Sequence, residues 1–169
     1  MKKLLAIAFI FLFLFTISGY SQTAKEYCDR GESKIILKDY DGAISDYTKA
    51  LEVDPKYKWA YLLRGLTKSD LQDFANAVQD ATKAINIDPK FKEAYIVRGY
   101  AKSILYDYRG AIADYTKAIE IDSTNSWTYY NRGLMKIVLK QLDSGCLDLT
   151  RAGELGSTAA YQAIKQYCN

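Results

Sequence analysis

Residues 58–91 read KWAYLLRGLTKSDLQDFANAVQDATKAINIDPKF, and residues 92–125 read KEAYIVRGYAKSILYDYRGAIADYTKAIEIDSTN, a second version of the same pattern. An Arg-Gly pair recurs at intervals of 34 residues, at Arg30-Gly31, Arg64-Gly65, Arg98-Gly99 and Arg132-Gly133. A fixed interval of this kind indicates one structural unit that is copied and stacked. The chain therefore divides into four approximate units: 24–57, 58–91, 92–125 and 126–159.

Each unit is predicted to form a pair of helices. Tyr at the fourth position and Gly at the eighth share one face of the first helix, and small residues at positions twenty and twenty-seven share one face of the second. Residues 38–42, with the sequence Lys-Asp-Tyr-Asp-Gly, and their counterparts are predicted to form the turn between the two helices. Pro55 and Pro89 are expected to stop the second helix, because proline cannot continue its hydrogen-bond ladder.

These recurring residues resemble the pattern of the tetratricopeptide repeat (TPR) family, which is Trp-x2-Leu-Gly-x2-Tyr, then Ala-x3-Phe, then Ala and Pro. The match runs from residue 24 to about residue 155, with Tyr in place of the Trp, Arg in place of the Leu and Lys in place of the second Tyr. The resemblance implies an all-α, right-handed superhelix (solenoid) of four helix pairs over residues 22–156. Residues 157–169 are predicted to form a C-terminal capping helix, since a solenoid needs such a cap.

The chain starts with a segment that is typical of a secretory signal peptide. Met1-Lys2-Lys3 is cationic, and residues 4–17 are apolar except for Thr16, a run too short for a comfortable membrane span of about 20 residues. We predict a signal peptide over residues 1–21, which leaves no membrane span after its cleavage; an uncleaved N-terminal anchor is the alternative. The protein is then exported by a bacterium and is periplasmic or secreted.

Charge and composition exclude several functions. The formal net charge is +3, and losing Lys2 and Lys3 with the leader reduces it to +1. The protein therefore has no strong positive electrostatic potential that would attract nucleic acid. The sequence has no His and only three dispersed Cys, so no metal site is predicted. A Gly-rich phosphate loop and a nucleophile beside a base are also missing from the sequence, so we expect no enzymatic activity and no cofactor.

Three charged positions recur in all four units: Arg at position seven, Lys at position eleven and Asp at position twenty-three. Arg and Lys are four residues apart and share a helical face, and a helical hairpin can bring Asp against Arg. We interpret Arg and Asp as structural ion pairs, with the charged head of Lys in water; a ladder of cations for an anionic ligand is the alternative. The predicted pairs are Arg30 with Asp46, Arg64 with Asp80, Arg98 with Asp114, and Arg132 with Asp148.

In the TPR family, the concave surface is lined mainly by positions of the first helix that differ between the units of this chain. The resemblance implies an apolar, aromatic partner-binding groove, because exposed apolar surface marks binding sites and aromatic residues are efficient anchors. Its edge is predicted to be acidic, at Asp29, Glu32, Asp70 and Glu93. For individual residues the alternative is burial between adjacent first helices. The predicted groove residues are Trp59, Leu62, Leu66, Glu93, Ile96, Tyr100, Trp127, Tyr130, Asn131 and Leu134.

Some TPR proteins grip the carboxylate of a chaperone's C-terminal tail with Lys and Asn at groove positions. In this chain the corresponding positions hold Cys28, Glu32, Leu63, Val97 and Tyr100, so that function is not expected.

The three cysteines lie at the two ends of the predicted solenoid. Cys146 begins the second helix of the fourth unit, and Cys168 ends the closing helix. If the closing helix is antiparallel to its predecessor, these two ends meet, so we predict a disulfide between them. Cys28 lies at the other end and is expected to be free or intermolecular.

Together these features favour a non-catalytic module that binds a peptide segment or helix of an envelope or secreted partner in its concave groove. The alternative is a structural component of an envelope complex that acts through self-association. Glycan binding on the Tyr-rich surface is a third hypothesis, which only the composition supports.

Overall fold

The computed structural model describes residues 22–168, and the predicted signal peptide lies outside these residues. Within them the chain forms nine α-helices and no strand, and none of the helices is both long and apolar enough to cross a bilayer. The helices are α1 Ala24–Ile36, α2 Tyr40–Val53, α3 Lys58–Asp70, α4 Phe74–Ile87, α5 Lys92–Ile104, α6 Tyr108–Ile121, α7 Ser126–Val138, α8 Leu142–Glu154 and α9 Thr158–Tyr167.

The first eight helices form four hairpins that stack in chain order. Each first helix (α1, α3, α5, α7) packs against the second helix that follows it, and each second helix packs against the first helix of the next hairpin. The helices α1, α3 and α5 also contact one another in sequence. The closing helix α9 packs against α8 and touches α7. The all-α solenoid with a closing helix, predicted from the repeat, is confirmed.

Short polar segments determine where the helices begin. At the start of α1, Thr23 accepts a hydrogen bond from the Glu26 amide, and the Glu26 side chain accepts one from the Thr23 amide, which is a capping box. At the start of α2, Asp39 accepts a hydrogen bond of 3.0 Å from the amide of Gly42. Gly42 therefore lies in the first turn of α2, and the turn predicted over residues 38–42 is shorter than expected.

The first helix of every hairpin ends in the same left-handed backbone conformation. In the first hairpin the Lys38 amide donates to the Ile35 carbonyl and the Asp39 amide to the Lys34 carbonyl, both at 2.9 Å, which closes the helix as a Schellman motif. This closure requires a positive φ at the second residue after the helix, although none of the four residues in that position is glycine. The φ values are 59° at Lys38, 62° at Gln72, 64° at Tyr106 and 62° at Lys140.

The core differs between hairpins at the residue that faces the recurring Gly. In the first hairpin the Tyr47 ring lies over Gly31, and a Cβ added to Gly31 would be 2.5 Å from that ring. In the second hairpin the residue equivalent to Tyr47 is Ala81, and a Cβ added to Gly65 would meet its nearest atoms at 3.4 Å. The close packing of the Tyr47 ring therefore requires glycine at Gly31, whereas the packing at Gly65 leaves room for a Cβ.

Candidate functional site

Two cations of the first helix hold the Asp of the second helix in every hairpin. In the second hairpin, Arg64 donates from Nε and Nη2 to the two carboxylate oxygens of Asp80 at 2.9 and 2.7 Å. Lys68 Nζ lies 2.7 Å from Asp80 Oδ2. The same arrangement recurs in Arg30, Lys34 and Asp46, in Arg98, Lys102 and Asp114, and in Arg132, Lys136 and Asp148.

The prediction that the Lys heads lie in water is wrong, because each of them completes an ion pair. A buried carboxylate such as Asp80 must replace its lost hydration with several charged donors, and one Arg supplies only two hydrogen bonds. The recurring cations are thus engaged inside the hairpins. They do not form a free ladder that faces an anionic ligand.

Asp46 illustrates the electrostatic consequence of this arrangement. The hydrogen bond from Arg30, assisted by that from Lys34, lowers the pKa of Asp46 to about 2, although burial acts in the opposite direction. Asp46 therefore stays ionised at any physiological pH. The recurring ion pairs are structural, and the candidate binding site lies elsewhere.

Two apolar depressions adjoin on the surface formed by the first helices, and we call them together the groove. Leu66 and Asp70 of α3 form the ridge between them and belong to both. The α1/α3 depression, of about 370 Å³, is lined by Glu32, Ile35, Ile36, Tyr47, Leu63, Leu66, Thr67 and Asp70. The α3/α5 depression, of about 360 Å³, is lined by Leu66, Ser69, Asp70, Ile96, Val97, Tyr100, Asn125 and Trp127.

The far wall of the α3/α5 depression is aromatic and is supported from behind. The centroids of the Trp127 and Tyr100 rings are 6.1 Å apart, and Trp127 also packs against buried Tyr115 in a T-shaped contact with centroids 6.0 Å apart. Burial raises the pKa of Tyr115, which therefore stays neutral. The two exposed rings retain 42% (Trp127) and 37% (Tyr100) of their accessible surface. This wall is an aromatic surface that is already formed and faces water.

The structure brings together only part of the predicted groove. Leu66, Ile96, Tyr100 and Trp127 all line the α3/α5 depression.

Trp59 and Glu93 lie apart from these four residues. They line a more polar depression together with Lys58, Asp88 and Phe91, and the Trp59 ring packs edge-on against Phe91 with centroids 4.7 Å apart. The two tryptophans of the chain therefore do not share one binding surface.

The prediction that Leu62 belongs to the groove is wrong. Leu62 is only 4% exposed and packs in the core between the second and third hairpins, with Ala81 and Val97. Its position on α3 turns toward the neighbouring hairpin, where apolar surface is removed from water.

The remaining predicted groove residues, Tyr130, Asn131 and Leu134, are half-buried and line neither depression. The Asn131 side-chain amide donates instead to the Trp127 carbonyl at 2.8 Å.

Several other residues also line the depressions. Ser69 and Asp70 occupy first-helix positions twelve and thirteen, which the resemblance places on the concave surface, and Glu32 and Asp70 belong to the predicted acidic edge. Asn125 precedes α7 and caps it by accepting a hydrogen bond of 3.0 Å from the Thr128 amide. Because helix capping alone explains an Asn at this position, the sequence does not indicate that Asn125 also borders a binding surface.

The cysteines lie at opposite ends of the solenoid. Cys146 and Cys168 form a disulfide that joins α8 to the residue after α9, with Cα atoms 5.8 Å apart. Cys28 is a free, buried thiol, and burial raises its pKa to about 12. Within residues 22–168 no group of three or more His, Cys, Asp or Glu side chains is placed to hold a metal ion.

Sequence profiles described as tetratricopeptide repeat or TPR repeat match residues 24–57, 60–91 and 107–136. These matches together span more than half of the chain, so the protein belongs to the tetratricopeptide repeat family. A search of curated proteins found no match. Repeats of this family are non-catalytic scaffolds for protein interaction, and the protein is an interaction module rather than an enzyme.

Solved structures of TPR proteins are similar to this fold. The crystal structure of MamA protein is 28% identical, with a TM-score of 0.78 over 83% of this chain and 78% of MamA. The first TPR of Spaghetti (RPAP3), solved with the HSP90 peptide SRMEEVD, is 27% identical, with a TM-score of 0.69 over 71% of this chain and 95% of its own. The TPR domain of OM64 from Arabidopsis is 27% identical, with a TM-score of 0.66 over 68% and 94%.

Proposed function

We propose that the protein binds an extended segment of another exported protein in the groove formed by the α1/α3 and α3/α5 depressions. The observation that carries this proposal is the uncovered apolar surface of Leu66, Tyr100 and Trp127, which the protein's own packing leaves in water. Aromatic side chains held from behind are efficient anchors for a partner. A surface that is formed before binding also lowers the entropic cost of association.

The RPAP3 TPR, solved with a bound peptide, supports a peptide as the class of ligand. The apolar groove of this chain differs from a site built on Lys and Asn, so the bound segment need not be acidic. A segment that contributes apolar side chains to both depressions is the occupant that this surface favours.

Selection from a displayed library of random peptides tests the proposed site. Trp127→Ala removes the largest exposed ring of the groove and should abolish recovery of the peptides that the unmodified protein selects. Tyr106→Ala is the matched control, because Tyr106 is an even more exposed aromatic residue that lines neither depression. Equal recovery by both variants, each with an intact melting transition, would refute the groove as the binding site.

We also propose that the protein is exported, to the periplasm or beyond it. The apolar leader and the pairing of Cys146 with Cys168 support this location, because disulfides persist in oxidising compartments. The mature N-terminus should be Gln22, which mass spectrometry of the protein isolated from its source can determine. An intact Met1 in the isolated protein would contradict cleavage of the leader.

Self-association is the second candidate function, and one observation favours it. Leu37 is 77% exposed, whereas the equivalent Leu71 and Leu105, which have a preceding hairpin, are 45% and 47% exposed. A second copy could cover this end of the solenoid. Light scattering during size-exclusion chromatography should then detect an oligomer that Leu37→Ser dissociates and that Leu147→Ser, a change at an exposed Leu of α8, leaves intact.

A further inference from the structure

The charges that border the groove are all of one sign. Glu32 lines the α1/α3 depression, and Asp70 stands on the ridge that the two depressions share. Both carboxylates are exposed, and neither forms an ion pair within the described part of the chain. No Lys or Arg is among the described residues that line either depression. A segment bound in the groove therefore lies beside these two negative carboxylates, and no lining Lys or Arg neutralises them.

The first-helix cations cannot move into the groove to neutralise it. Lys34 and Lys68, which belong to the same helices as Glu32 and Asp70, contact Asp46 and Asp80 at 3.0 and 2.7 Å. Releasing either Lys would leave a buried carboxylate with one fewer partner, which is strongly unfavourable. The acidic character of the groove is thus a fixed consequence of how the repeat is built.

The spacing of the two depressions sets the spacing of the side chains that can fill them. The depressions lie on opposite sides of α3, between helices that pack side by side, and axes of packed helices are about 8–10 Å apart. In a polyproline II segment, residues three positions apart point to the same side and are about 9 Å apart. Two apolar side chains at positions i and i+3 therefore reach both depressions, and the residues between them pass over the ridge at Asp70.

We propose that the occupant of the groove is an extended segment with two apolar side chains three positions apart and Lys or Arg between them. This inference rests on the proposed function and specifies its ligand. An aromatic side chain fits the α3/α5 depression, where it can pack against Tyr100 and Trp127. The basic side chains meet Asp70 and Glu32, so that charge complementarity selects the partner and excludes acidic segments.

Fluorescence polarisation with synthetic peptides tests this specificity on the purified protein. GSFKKLSG and its reversed order GSLKKFSG carry the proposed pattern, GSFEELSG reverses its charge, and GSGKKGSG lacks the apolar side chains. The better of the two Lys peptides should bind about tenfold more tightly than the Glu peptide at low salt, since exposed attractions contribute up to about fivefold each and the glutamates add repulsion. The difference should shrink at high salt, which screens exposed charges.

Variants that neutralise the groove carboxylates identify the residues that interact with the basic side chains of the peptide. Glu32→Gln combined with Asp70→Asn should reduce the preference for Lys over Glu peptides to about twofold. Asp41→Asn combined with Glu52→Gln is the matched control, because both residues are exposed on α2 outside the groove. Equal binding of Lys and Glu peptides, or a preference that survives in the groove variant, would overturn the inference.

The selection from displayed peptides distinguishes a failure of the proposed specificity from a failure of the proposed function. Groove-dependent peptides that lack basic residues would refute this specificity and leave the proposed function intact. Selection of no peptide that depends on Trp127 would refute the proposed function itself.

Discussion

Arg98 donates a hydrogen bond of 3.2 Å from Nη1 to Oγ1 of Thr82, which belongs to the preceding hairpin. The other two nitrogens of the same guanidinium hold Asp114 of its own hairpin. One side chain thus joins the two helices of a hairpin and also joins neighbouring hairpins. The equivalent bonds are Arg64 to Thr48 and Arg132 to Thr116, both at 3.1 Å.

Replacing this Thr tests the link between hairpins. Thr82→Val removes the hydroxyl that Arg98 contacts and should lower the free energy of unfolding by about 1 kcal/mol. Thr150→Val is the matched control: both hydroxyls donate to the carbonyl four residues earlier, at 2.7 and 2.9 Å, but no later hairpin supplies an Arg to Thr150. Urea denaturation measures both losses, and equal losses would contradict a link through Arg98.

Removing one recurring Asp should be costly. Asp114→Asn leaves Arg98 and Lys102, whose side chains are only 18% and 22% exposed, without a counter-charge. We expect the free energy of unfolding to fall by about 3–5 kcal/mol, because an uncompensated charge remains in a partly buried place. Glu120→Gln breaks an exposed pair with Lys117 and should cost less than about 1 kcal/mol. Similar losses for the two variants in chemical denaturation would show that burial of the pair is unimportant.

The low pKa of Asp46 predicts a specific sensitivity to acid. Its pKa is about 2 in the folded protein, and an unfolded Asp has a pKa of about 3.9. The stabilisation by this pair is therefore complete above about pH 4 and is lost as the pH falls toward about 2. The melting temperature should fall across this interval, and Asp46→Asn should make the fall shallower. An unchanged slope in the variant would contradict the lowered pKa.

Two glycines at the same repeat position should respond differently to Ala. Gly31→Ala places a Cβ against the Tyr47 ring and should destabilise the protein by about 1–3 kcal/mol. Gly65→Ala adds a methyl group in ordinary contact distance and should be neutral or stabilising by up to about 1 kcal/mol, since Ala is the better helix former. Thermal melts compare the two directly. A loss at Gly65 as large as that at Gly31 would be evidence against the role of Ala81.

The disulfide should stabilise the C-terminal end of the solenoid. It closes a loop with a sequence separation of 22 residues, and the variant Cys146→Ser/Cys168→Ser should lose about 3 kcal/mol in free energy of unfolding. In the unmodified, folded protein all three cysteines should resist alkylation, Cys28 because it is buried. In denaturant without reductant, only Cys28 should react. Alkylation of Cys146 and Cys168 under these conditions, detected by mass mapping, would exclude the bond.

Two features of α3 show the limit of prediction from the sequence. Leu62 and Leu66 are four residues apart on α3 and were both predicted to face the groove, yet Leu62 lies in the core and Leu66 on the surface. The ion pair of Arg64 with Asp80 was expected, but the contact of Lys68 with the same carboxylate was not. In both cases the residue type was compatible with either environment, and a neighbouring helix decided between them.

The 34-residue period by itself determined the helical hairpins, their number and their order, because helix capping, chain reversal and close approach at small residues depend on side chains within one unit. The tertiary structure alone decided which first-helix side chains meet water. That outcome depends on the angle at which one hairpin stacks on the next and on the side chains that pack against each helix, such as Tyr47 over Gly31 in the first hairpin and Ala81 beside Gly65 in the second. Burial is a property of a residue's surroundings, and the surroundings of each first helix include residues of an adjacent hairpin as well as its own second helix.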